Sequence, residues 1–195
     1  MSLRSVLDPK STKVSVSSSA PGSSKKHLLN PSASDEGLPW SSNIPSSLHL
    51  TFDTPVQASH FALTFQGGFV STAVSVWVAR SEDAEGGVGL GLMMGGKIYP
   101  EDRNKRQVFE IPFPPTGLSP TDETPPSNIG PNITTEITPA EANSGAVKTH
   151  PDGQGIIKKH NHDELPYLTE LKLEFEKSSD QYGRVTLYSI EVLNN

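Results

Sequence analysis

The chain of 195 residues contains no cysteine, which excludes disulfides and thiolate metal ligands and suits a reducing compartment. It has no apolar run near the ~20 residues that cross a bilayer as a helix. Its first residues, Met1-Ser2-Leu3-Arg4-Ser5-Val6-Leu7-Asp8, hold no run of the kind a signal peptide needs. These absences point to the nucleus or cytoplasm, with no membrane partner. Asn132-Ile133-Thr134 fits a glycosylation sequon that such a location leaves unused. No window carries the periodicity of an amphipathic helix of three or more turns. Apolar residues are scarce at 33%, against Gly 16 and Pro 17, so part of the chain is expected not to pack. Positive charge is also short: a net charge of −6 argues against a general nucleic-acid binder.

What the chain does hold is alternation. Phe61, Leu63 and Phe65 share one face of a strand that stops at Gln66-Gly67-Gly68, with Phe69 just beyond. Paired glycines require a sharp turn or positive φ. Leu48, Leu50 and Phe52 alternate with His49 and Thr51, and Asp53-Thr54-Pro55 ends that strand. Val74, Val76 and Val78 make a third strand, and Val108 to Ile111 a short one closed by Pro112. Val14 and Val16 mark a weak strand, and Leu171, Leu173 and Phe175 a strong one. In Arg184 to Leu193, Val185 and Leu187 share one face, whereas Tyr188, Ile190 and Val192 share the other. That strand is either buried on both faces or bulged near Leu187, and it belongs at the centre of a sheet. Strand centres about ten residues apart are the spacing of an antiparallel sandwich or barrel.

Two stretches fall outside this pattern. Residues 1–12 are polar and aperiodic and read as a flexible leader. From about 114 to 164, Pro, Thr, Ser, Asn and Gly dominate; a structureless loop of ~50 residues does not suit a compact domain, so it reads as a disordered insertion. The plan is one sandwich over 13–195, interrupted by that insertion.

Candidate chemistry is thin. Gly91-Leu92-Met93-Met94-Gly95-Gly96-Lys97 approaches a phosphate-binding loop, but Ile98 stands where Ser or Thr should hold magnesium, and Tyr99-Pro100 prevents the helix. A flexible hairpin connection explains it better. His150, His160, His162 and Asp163 have metal-ligand types, yet they lie in the insertion, where a solvated loop is the better reading. Glu174 and Glu176 share an outward, solvated strand face. No Gly-x-Ser-x-Gly elbow or acid–base pairing stands out, so no catalytic residue, metal or cofactor is expected. Ser119-Pro120, Thr124-Pro125 and Thr138-Pro139 are proline-directed phosphorylation candidates.

Four separated pieces carry a family likeness: Lys25-Lys26-His27-Leu28, Phe65-Gln66-Gly67-Gly68-Phe69, Tyr99-Pro100-Glu101-Asp102 and Tyr182-Gly183-Arg184-Val185. In this order, with strands between them, they resemble a small intracellular discoidin-like (factor V/VIII type C) family, the proteins associated with nuclear receptor subfamily 2 group C. The resemblance spans roughly residues 13–113 and 165–195. It implies a galactose-binding-like jelly roll of eight strands with chain ends close together. It also implies a non-catalytic protein-interaction role in transcriptional regulation, of repressor type, with a nuclear receptor or another transcription-related protein as partner. Where the family has Trp-Asn-Ser-Asp, this chain has Trp40-Ser41-Ser42-Asn43, so a polar-ligand loop has lost its carboxylate. The alternative is a small-ligand or carbohydrate-binding module of the same fold. Loop residues that could converge are Lys26, His27, Trp40, Gln66, Phe69, Tyr182 and Arg184. Against that, Trp40 and Tyr182 could simply cap the core, and Arg184 could pair with Asp180.

Overall fold

The computed structural model describes residues 3–29, 39–81, 90–114 and 166–195, all within one unit, Met1–Pro115 with Glu164–Asn195. Its strands, in chain order, are β1 (Arg4–Ser5), β2 (Thr12–Val16), β3 (Trp40–Asn43), β4 (Ser46–Gln57) and β5 (His60–Phe65). They continue as β6 (Ser71–Ser81), β7 (Leu90–Ile98), β8 (Arg106–Glu110), β9 (Tyr167–Ser178) and β10 (Arg184–Asn194). All pairings are antiparallel. One sheet of five runs β1-β10-β5-β8, with β3 also on β10; the other runs β2-β4-β9-β6-β7. The described residues thus form ten strands rather than eight, and the ends meet as expected, with Arg4 opposite Asn194.

Period-two patterning sends one face of each sheet inward. Leu48, Leu50, Val74, Val76, Leu171 and Leu173 from one sheet meet Phe61, Leu63, Phe65, Val185 and Leu187 from the other, all fully buried. Phe175 joins the layers, its ring 5.6 Å from Trp40 and edge-on at 6.3 Å to Phe65. On β10, Leu187 lies opposite Phe65 and Ser189 opposite Thr64, which leaves Tyr188 as the extra residue of a bulge. The bulge moves the inward phase from Val185 and Leu187 to Ile190 and Val192. β10 is central because three short pieces share its second edge: β3 along Arg184 to Leu187, then Leu28, whose carbonyl accepts Ile190 N at 2.9 Å, then β1.

Four expectations change. The leader over 1–12 does not hang free: Arg4 and Ser5 pair with β10, Val6 N donates to Val192 O at 2.9 Å, and Val6 and Leu7 pack on the core. Backbone pairing needs no sequence periodicity over two residues, so the pattern could not show it. Pro55 does not end β4; the register slips between Thr51 and Val56, and a proline is tolerated at such an irregularity. The segment Gly91 to Lys97 is strand β7 rather than a connection. Gly96 pairs with Val76 and Met94 with Trp77, so Gly95 is a bulge residue, and a Cβ there would collide with the Pro112 carbonyl. The glycines admit the chain leaving β8, not a phosphate.

Finally, the β9 carboxylates are not merely solvated, because β9 lies in mid-sheet. Glu170 meets His49 at 2.7 Å, and Glu174 accepts Trp77 Nε1 at 3.0 Å and Lys172 Nζ at 2.7 Å. Glu176 meets Lys97 at 2.6 Å and accepts Ser75 Oγ at 2.5 Å. The Lys97 bond, then the Ser75 bond, hold the Glu176 carboxyl below its ordinary range. The insertion, beyond Pro114, lies outside the described residues, as do its histidines and Ser/Thr-Pro pairs.

Candidate functional site

Three of the four motifs meet at one end of the sandwich. β5 runs into Gln66-Gly67-Gly68-Phe69, β7 into Tyr99-Pro100-Glu101-Asp102, and β9 returns to β10 through Tyr182-Gly183-Arg184. Gly68 has φ +80°, a conformation that glycine adopts at little cost, and its N–H donates to Asp102 Oδ1 at 2.7 Å. At Gly67 the constraint is crowding rather than φ: a Cβ would stand 3.3 Å from the backbone N of Asn104, a tight contact. Gln66 N donates to Thr186 O at 3.0 Å, and Thr186 N to Phe69 O at 2.9 Å, which staples this turn to β10.

The third turn is built around Asp180. Its Oδ2 accepts both the backbone N and Nε of Arg184, each at 3.1 Å, and only 9% of its side chain is exposed. That hydrogen bond with Arg184, ahead of other causes, lowers the Asp180 carboxyl below its ordinary 3.8. Gly183, at φ +73°, lets the chain turn back, and its carbonyl accepts Ile44 N at 2.8 Å. The Arg184 guanidinium then lies 4.7 Å from the Phe69 ring centre and 5.8 Å from that of Tyr182.

The predicted residues divide. Gln66, Phe69, Tyr182 and Arg184 come together here. Trp40 is corrected to core: it is fully buried, and Nε1 donates to Ser18 O at 3.0 Å and Ser19 Oγ at 3.1 Å. Its size fills the space between sheets, which no surface site could offer it. Lys26 and His27 lie on the flank of β10 beside Leu28, Lys26 exposed and His27 half-buried, apart from the turn cluster. Tyr182 does not cap the core; it is 72% exposed. The ion pair between Arg184 and Asp180 is present, together with the stacking.

Reading by residue type missed Tyr99, which is 70% exposed, and Asp102, which anchors Gly68. Both stood inside a quoted motif, so the signal was present. Also missed was a recess of about 270 Å³ at the same end, lined by Ser18, Ser19, Ala20, Pro21, Ser42 and Asn43. The Ser18 and Ser42 hydroxyls bond each other at 2.6 Å, and Asn43 lies opposite Arg184 in the β3–β10 register. Among the described residues no group of three His, Cys, Asp or Glu is placed to hold a metal ion. The cluster is suited to contact: a stacked cation, two open phenols and fixed turns.

No family model matches the chain. Nuclear receptor 2C2-associated protein of Bos taurus is 26% identical over 171 residues, which is 87% of this chain and 78% of that protein. Among solved structures, the family 32 carbohydrate-binding module of C. perfringens NanJ, in complex with galactose, superposes with a TM-score of 0.55 at 9% identity, covering 95% of this chain and 96% of that one. An F5/8 type C domain from Bacteroides fragilis gives 0.52 at 11% identity, covering 98% and 96%. The fold is therefore the discoidin-like, galactose-binding-like sandwich. The motif resemblance is to the family of the bovine protein.

Proposed function

We infer that the chain is a non-catalytic protein-interaction module that engages its partner through the turn end. The observation that carries this is the side-chain constellation itself: Arg184 fixed between Asp180, Phe69 and Tyr182, beside a phenol 72% exposed. Arginine and tyrosine are enriched among the residues that dominate interface energetics, and an arginine already held by Asp180 loses less side-chain entropy on docking. The name of the bovine relative supports a partner in receptor-linked transcription, and with it work in the nucleus or cytoplasm. Affinity capture with the full chain should recover a stoichiometric partner that Tyr182→Ala and Arg184→Ala both lose while remaining folded. Capture that instead depends only on residues 115–163 moves the function to the insertion. A fluorescent fusion found solely in a secretory compartment removes the nuclear and cytoplasmic assignment.

A second reading rests on the recess beside Asn43 and takes a small polar ligand such as a sugar. Its lining has no aromatic platform, Ser18 and Ser42 spend their hydroxyls on one another, and about 270 Å³ is at the small end of ligand sites. NMR titration with galactose and N-acetylgalactosamine tests it; shifts at Ser42 and Asn43 would favour this reading, and none removes it.

A further inference from the structure

Among the described strands, β8 lies at the edge of its sheet. Ile111 N donates to Ser59 O at 2.9 Å, just past the β5–β8 ladder. By antiparallel alternation, Gln107 and Phe109 then turn their backbone groups to β5, while Arg106, Val108 and Glu110 turn theirs outward. No described residue pairs with that outward side. The same residues expose their side chains, Val108 by 40% and the Arg106 side chain by 43%. Arg106 is held by Glu191 at 2.7 Å, and Glu110 has no charged partner among the described residues.

We propose that β8 is a self-association edge, on which a second copy of the chain lays its own β8 antiparallel about a two-fold axis at Val108. Such an axis passes either through a residue whose backbone groups face out, Arg106, Val108 or Glu110, or through Gln107 or Phe109 between them. Centring on Gln107 sets Arg106 against the partner's Val108, and centring on Phe109 sets Glu110 against it, so neither forms an ion pair. Centring on Arg106 sets arginine against arginine, and centring on Glu110 sets glutamate against glutamate. Like charges directly opposite are unfavourable. Centring on Val108 sets Arg106 against the partner's Glu110 on both sides, with the exposed valines meeting between them. About six backbone hydrogen bonds then cross the edge. Charge on an edge strand normally repels stray strands; here the order Arg106-Gln107-Val108-Phe109-Glu110 repels the registers centred on either charge, and among the rest it rewards with ion pairs the one centred on Val108. The contact is small, below the ~1,200 Å² of standard interfaces, so the dimer forms at high concentration.

Sedimentation equilibrium of the full chain, up to about 1 mM, should show a monomer–dimer equilibrium. Val108→Pro removes an outward N–H, a change edge strands tolerate. Glu110→Lys sets lysine against the partner's Arg106, and Arg106→Glu sets glutamate against the partner's Glu110. Each should weaken dimerisation by about tenfold or more. Mixing Glu110→Lys with Arg106→Glu should restore it, since every charge then meets its opposite across the edge, while the clash of the Arg106→Glu chain with its own Glu191 is the same in monomer and dimer. Circular dichroism checks folding; if Val108→Pro does not fold, the charge pair decides. Wild-type chain that stays monomeric overturns the proposal, as does a dimer that all three variants leave unchanged, or mixing that restores nothing. Monomeric chain with the outward amides still protected from exchange overturns it in favour of another strand on this edge.

Discussion

At the turn end of the sandwich, side chains tie down turns: Asp102 holds Gly68 N, Asp180 holds Arg184, and Ser179 Oγ accepts Val70 N at 3.0 Å. At the opposite end, backbone meets backbone. Val6 N reaches Val192 O, Ser59 N reaches Leu193 O at 3.0 Å, and Ile111 N reaches Ser59 O. The chain also leaves toward residue 115 and returns at Pro166 from this second end. The contrast separates two ways of closing a sandwich. The first needs particular residues at particular places, and so writes motifs. The second needs only a peptide group, which nearly every residue supplies.

The contrast breaks most visibly if the backbone-closed end can be removed at no cost. Deleting residues 1–7 takes away the β1 ladder and the packing of Val6 and Leu7. Losing two half-buried aliphatic side chains and their hydrogen bonds should cost about 2–4 kcal/mol in chemical denaturation. Amide exchange should rise at Asn194, opposite Arg4, while Ile190, held by the Leu28 carbonyl, and Val70 and Thr186 stay protected. An unchanged midpoint would return these residues to the status of a leader and dissolve the comparison.

The same division explains what could be read from the sequence. The inward faces of β4, β5, β6 and β9 were legible because period two over five or more residues has no other account. The three turn-end motifs stood out in the sequence because positive φ at Gly68 and Gly183 and the acceptor on Asp102 depend on residue type, but nothing in their order set Asp102 beside Gly68. β1 is two residues of pure backbone pairing and had no signature. β7 was hidden because Gly95 and Gly96 answer to Pro112, some sixteen residues on, and a glycine pair reads locally as a turn. Trp40 was ambiguous by type, and only packing against Phe175 settled it. Lys26 and His27 were grouped with the turns by motif order, but Leu28 docks on β10 and carries them to the flank.

Within the turn end, the glycines themselves can sharpen the contrast. Gly183→Ala adds a Cβ 3.3 Å from Ile44 Cγ1 at a left-handed φ, so strain and crowding combine to cost about 1–3 kcal/mol. Gly68→Ala meets nothing within 4 Å, so it should cost only the conformational term of about 1 kcal/mol. Thermal melts of the two variants check the order. Equal losses would mean that Ile44 yields freely and that the turn is held by φ alone.

The smallest effect is electrostatic, and it asks whether the turn end depends on charge as well as shape. Asp180 titrates below its ordinary 3.8 because Arg184 bonds its carboxylate, so the pair contributes stability above about pH 4 and loses it as pH falls through the lowered folded value. Protonation gives up the charge-assisted bond to Nε, whereas Phe69 and Tyr182 still lie beside the guanidinium. Glu176, lowered by Lys97, titrates in the same direction on the other sheet, so a pH melt of the wild type alone mixes the two. Asp180→Asn separates them. The melting temperature of the wild type should exceed that of the variant near neutral pH, by a small margin because the Arg184 side chain is 48% exposed. The difference should shrink below about pH 4 and close as Asp180 becomes fully protonated. A difference that stays constant with pH would assign Asp180 a purely geometric role, with the substituted amide failing for shape. The turn end would then be closed by hydrogen-bond geometry throughout, with no dependence on charge.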